Sequence, residues 1–176
     1  MTRRTGAALA LALAALASGR LAGCGRATPP PVTFSAKDAD FRAVFPVTPK
    51  RLVKTATPSG ASVDVITYQA VTNGEDIGVV FTHSATAPAA GDVQKALDAA
   101  IDAEAADFSG SVSSRVTATV AGHPAQDAVI TRSGASFRSR AFFRDNQFYV
   151  LFGGTSKPED PHPNYDRMLQ TFQWAS

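Results

Sequence analysis

From residue 41 onward, apolar side chains recur at every second position in short runs broken by turn-forming residues. The runs "FRAVFP" (41–46) and "RLVKTAT" (51–57) end at "PSG", and "SVDVITYQAV" (62–71) and "DIGVVFTHS" (76–84) flank Asn73-Gly74. Period-two alternation predicts strands, and a two-residue Asn-Gly loop predicts a tight hairpin. That loop sets Ala70 opposite Ile77, Tyr68 opposite Val79 and Ile66 opposite Phe81, so all six share one face. The period then changes. In "GDVQKALDAAIDAEAADFSG" (91–110), Val93, Leu97, Ile101, Ala105 and Phe108 recur at helical spacing, with Asp92 placed to cap the start and Gly110 just past the end. Alternation resumes in "SVSSRVTATV" (111–120), where Val112, Val116, Ala118 and Val120 point one way and Ser113, Arg115, Thr117 and Thr119 the other. "AGHPA" turns the chain into "QDAVITR" (126–132) and "SGAS" into "FRSRAFFR" (137–144). Asp145-Asn146 then leads to "QFYVLFG" (147–153), which sets Phe143 opposite Phe148, Ala141 opposite Val150 and Ser139 opposite Phe152. Tyr165, Met168, Leu169 and Phe172 predict a short second amphipathic helix.

Strands, a long helix, strands and a short helix, with hairpins in both halves, predict an α+β domain with an antiparallel sheet. After the first thirty or so residues about 145 remain, enough for one domain with its own core. No internal repeat or second domain is visible.

The chain of 176 residues begins differently. "MTRR" is followed by residues 7–17, "AALALALAALA", which carry no polar side chain. Eleven helical residues reach about 16 Å, half of a bilayer's hydrocarbon core, so this run predicts a signal-peptide core rather than a spanning helix. Two exits are open to it. Ala15-Leu16-Ala17 fits cleavage before Ser18, which would leave a secreted protein free of the membrane. Leu21-Ala22-Gly23-Cys24 instead resembles the lipobox of bacterial lipoproteins. That resemblance implies cleavage after Gly23 and diacylation of Cys24, as by palmitate. Cys24 is the only cysteine, so no internal disulfide competes for it, and the "GRATPPPV" next to it suits a stiff tether. Arg3-Arg4 also leaves twin-arginine export open. The expected organisation is a signal peptide over 1–23, a tether over 24–32 and the domain over 33–176. The expected location is the extracytoplasmic face of a bacterial membrane, the outer one in a two-membrane cell, since Gly25 is not the aspartate that resembles an inner-membrane retention signal.

"FRAVFPVTPKR", the hairpin, the single long helix, "VAGHPAQDAVI", "RSRAFFRDNQFYVLFG" and the closing "MLQTFQW" together resemble a bacterial lipoprotein group related to LpqN-type and PsbP-like proteins. The resemblance covers nearly the whole domain. It implies an antiparallel sheet flanked by helices and a binding or accessory role, and it carries over no catalytic residue.

The formal charge of +2 owes three of its cations to Arg3, Arg4 and Arg20; the chain after Cys24 holds 14 basic and 15 acidic residues. A near-neutral domain excludes nucleic acid as the main partner, because phosphate binding needs a basic surface. No nucleophile elbow, phosphate-cradling glycine loop or metal-binding helix occurs, so no cofactor, metal or catalytic residue is expected. His123 and His162 read as exposed loop residues. His83 falls opposite Asp64 in the Asn73-Gly74 register; that is a cross-strand ion pair or, in an envelope hydrolase, an oriented general base. Asp98, Asp102 and Asp107 read as the helix's solvated face. The main candidate for partner binding is a row on one sheet face: Arg138, Arg140, Phe142 and Arg144, with Tyr149 across from Phe142. Arginine and aromatic side chains are enriched at contact surfaces, and such a row would meet an envelope protein, a lipid headgroup or a glycan. A sheet face covered by another element, with arginine stems lying on the rings, is the other reading.

Overall fold

Each alternating run becomes a strand in this computed structural model, which describes residues 30–57, 62–72, 74–83, 87–157 and 161–175. The strands are β1 (Val32–Ala36), β2 (Phe41–Phe45), β3 (Lys50–Ala56), β4 (Val63–Val71), β5 (Glu75–His83), β6 (Ser111–Val120), β7 (His123–Arg132), β8 (Ala135–Arg144), β9 (Gln147–Thr155) and β10 (Gln173–Trp174). The helices are α1 (Val93–Asp107) and α2 (Pro163–Thr171). Seven strands form one sheet in the order β3-β4-β5-β9-β8-β7-β6, and β1-β2-β10 form a small second one. Every ladder is antiparallel. The expected α+β class holds, with two helices in a single domain. Both expected hairpin registers also hold: Ala70 pairs with Ile77, Tyr68 with Val79, Ile66 with Phe81, Phe143 with Phe148, Ala141 with Val150 and Ser139 with Phe152.

The large sheet is buried on both faces, which makes the protein three-layered. On one face α1 lays Leu97, Ile101 and Phe108 over Ile130, Phe137, Ala141 and Phe152. Six of its residues are alanine, so the helix forms readily and sits close to the strands. On the other face the small sheet and α2 lay Phe41, Phe45, Tyr165 and Met168 over Tyr68, Val79, Phe142 and Tyr149. The Glu75 carboxylate fixes α2 there by accepting the backbone N–H groups of Asn164 and Tyr165 at 3.0 and 2.9 Å, the donors that a helix N-terminus leaves unpaired.

Several local expectations are corrected. Ser113 is bulged out between the pairs Val112–Ile130 and Ser114–Val129, so Val112 turns to the α1 face while Ala118 and Val120 join the opposite core. The turn before β7 is only Ala121-Gly122, both at positive φ as a type I′ loop requires, and His123-Pro124 already belong to the strand. Asp92 makes no side-chain cap to α1, which is entered through a 3-10 turn over Ala90–Asp92. At its end the left-handed position is Ser109 (φ 54°) rather than Gly110, and Gly110 N–H closes the turn onto Ala105 O. Strand β10, only two residues long, went unpredicted. His162 is buried rather than exposed, and half-buried His123 sets its ring edge-on to Trp174 at 6.0 Å.

Candidate functional site

The arginine row forms as expected on β8, because side chains two apart share a face. What stands over it was not expected. Phe142 and Tyr149 stack at 5.2 Å with their planes 8° apart, both fully buried beneath Phe172 and Trp174 of the C-terminal segment. The Tyr149 hydroxyl donates to Ala39 O at 3.0 Å, and burial pushes it up to about 12. Each arginine is then bound to a different neighbour. Arg144 donates to Asp40 in the β1–β2 turn at 2.5 Å with its guanidinium carbon 4.3 Å above the Trp174 ring. Arg140 grips Asp127 of β7 through two parallel bonds of 2.5 and 2.7 Å. Arg138 donates to Asp166 of α2 at 2.8 Å and lies 5.1 Å from the Tyr165 ring centre. The row is therefore a seam between the large sheet and the layer of small sheet and α2, and its exposed remainder is the outer edge of three paired guanidinium groups. A partner cannot reach Phe142 or Tyr149 without lifting the cover.

One part of the seam stays open. At the β6 end α2 no longer covers the sheet, and a cleft of about 210 Å³ lies between them. Ser114, Val116, Asp127, Val129 and Arg138 lie on the strand side, with Tyr165 of α2 opposite. Its charged groups are already paired, so it offers hydrogen-bonding edges and the apolar Val116 side chain.

The Asp64–His83 pair does not form. The β4–β5 ladder ends at Val65–Thr82, and Asp64 accepts instead from the Thr55 hydroxyl of β3 at 3.0 Å. The exposed His83 ring stands edge-on to Phe81 at 4.9 Å. Asp98 and Asp102 both engage Arg115 of β6 and so tie α1 to the sheet edge rather than only facing solvent. Among the described residues no group of three or more His, Cys, Asp or Glu could hold a metal ion. Gly23 and Cys24 lie outside the described residues.

The most perturbed carboxyl group is one that sequence reading passed over. Glu104 points from α1 into the sheet, 3% exposed, with no hydrogen-bond partner for either carboxyl oxygen; the Ser139 hydroxyl on β8 is likewise buried and unpartnered. Burial pushes this carboxyl up to about 8, Asp107 adds to the shift, and the nearby Ser139 hydroxyl opposes it. The signal was in the helix: residues 97, 101, 104 and 108 are one continuous stripe, and Glu104 occupies a core slot in it. Asp76 on the same sheet face is shifted up to about 6 by burial, held back by the Gln69 amide at 2.8 and 3.0 Å.

No family model matches the chain, and no curated protein matches it either.

Proposed function

We propose that this protein is a non-enzymatic envelope lipoprotein, tethered through acylated Cys24 and acting as a binding or accessory module. One observation carries the reading: the only cysteine of the chain closes Leu21-Ala22-Gly23-Cys24, behind an arginine-led, wholly apolar run. Two acyl chains on that residue anchor stably where one does not. The seven residues between it and β1 are rich in proline and reach about 22 Å if extended, enough to hold β1 clear of the headgroups. The fold is further proposed to be of the PsbP-like kind, supported by its antiparallel sheet with one long and one short helix. A binding role is supported by how the polar side chains are used. The arginines serve the fold, Asp64 and His83 stand apart, and the cleft beside α2 offers contacts rather than a reacting group. The partner class is an envelope protein, a lipid or a glycan.

Cys24→Ser tests the tether. The unaltered chain is expected in the membrane fraction, resistant to high salt, released by detergent and labelled by fatty acid. The Cys24→Ser chain is expected to lose the label and to leave the membrane fraction. A variant that stays membrane-bound would remove the proposal, as would an unlabelled parent chain.

A further inference from the structure

We propose that the outer edge of β6 is a self-association surface, on which a second copy of this chain pairs antiparallel about a twofold axis at Thr117. Among the described residues the large sheet ends at two strands with no further neighbour, β3 and β6, and they are built differently. Strand β3 carries Lys50, Arg51 and Lys54 among seven residues, the charged guard that keeps an edge from pairing. Strand β6 has ten residues, no lysine and no proline. Its one charge, Arg115, is turned back onto Asp98 and Asp102 of α1. Its bulge distorts only the start, and from Ser114 to Val120 the pairing with β7 is regular. Val116, in the middle, is 62% exposed.

The groups that face outward are set by the hairpin. A two-residue type I′ loop is flanked by a hydrogen-bonded pair, here Val120 and His123, and pairs alternate from there. Pro124, with no N–H to give, accordingly stands opposite Thr119 at a pair that makes no such bond. Arg115, Thr117 and Thr119 therefore direct their backbone N–H and C=O groups away from β7. With the axis at Thr117, the Thr117 residues of both copies pair with each other, and Arg115 pairs with Thr119 of the second copy on either side. This closes about six backbone hydrogen bonds and makes one continuous sheet of both molecules.

The side chains agree with that register. On the α1 side threonine meets threonine, a favourable cross-strand pair, and each arginine meets a threonine, which keeps the two guanidinium groups about 13 Å apart along the strands. On the other side Val116 meets Ala118 of the second copy and covers its exposed surface. No like charges stand opposite one another. The same operation on β3 would bring the lysines of both copies and two exposed Arg51–Asp38 pairs onto one seam, which favours β6 as the edge that pairs.

The experiment is the mass of the detergent-solubilised full chain by light scattering after size exclusion, followed over micromolar concentrations. The parent protein is expected at twice the chain mass, dissociating on dilution. Thr117→Pro, which removes an outward N–H on the axis, and Val116→Lys, which adds a charge at the seam, are each expected to give the monomer mass. Val116→Lys alters an exposed side chain and covers the case in which proline prevents folding. A parent chain that is monomeric throughout overturns the proposal, as does a dimer that survives Val116→Lys. Pairing through β6 does not depend on the lipid tether, because Cys24→Ser leaves that edge intact.

Discussion

Replacing Glu104 with glutamine is expected to stabilise the protein, and the gain should depend on pH. A carboxyl raised by burial binds its proton more tightly in the folded chain than in the unfolded one. Below the ordinary value of 4.5 both states are protonated and Glu104 imposes no charge penalty. Between there and about 8 the unfolded chain ionises while the folded one keeps its proton, so stability falls as pH rises. Above about 8 the folded group ionises as well and the loss levels off. At pH 7 the accumulated cost is about 3 kcal/mol, since each tenfold difference in proton affinity between the two states is worth about 1.4 kcal/mol. Glutamine keeps the shape of the neutral acid and cannot ionise. Urea unfolding of both chains should therefore show equal stability near pH 4, a gap that widens steadily to about 3 kcal/mol at pH 7, and no further growth past pH 8. A gap that is constant across the range would show that Glu104 is not the titrating group.

Gly153→Ala is expected to cost about 3 kcal/mol, because the added carbon has nowhere to go. A Cβ at this position would stand 2.6 Å from the Tyr165 Cβ and 2.8 Å from its Cγ. Tyr165 cannot step aside. It is 2% exposed, its N–H is held by Glu75, and Arg138 lies on its ring. The strain therefore passes to α2, and through it to the arginine seam. Gly154→Ala is the internal control, one residue along the same strand, where the nearest atom would be Phe137 Cδ2 at an ordinary 3.5 Å. It should cost less than about 1 kcal/mol in the same denaturation experiment. Equal losses at the two positions would mean that α2 is not packed against β9 as described.

Hairpin registers were legible in the chain because a two-residue loop and an alternating pattern each determine the pairing and here agree. The bulge at Ser113 was not, since alternation reads the same on either side of an inserted residue while the faces exchange. The cover over the arginine row was hidden for another reason. Its aspartates lie 13, 28 and 104 residues from Arg140, Arg138 and Arg144, and local pattern says nothing about which element returns to lie on which face. Covered and exposed rows have the same spacing. Glu104 stood between these cases, being visible as a charged residue in an apolar stripe once the stripe is traced through its third member. The Asp64–His83 pairing failed at the open end of its hairpin, where β3 offers Asp64 a hydroxyl instead.

The central claim, a domain held at a membrane by the lipid on Cys24, is tested most directly by the intact mass and N-terminal peptide map of the protein from its native membrane fraction. The predicted result is a chain that begins at Cys24 and carries the added mass of its acyl groups. A chain that begins at Ser18, with Cys24 as an unmodified thiol, would contradict it.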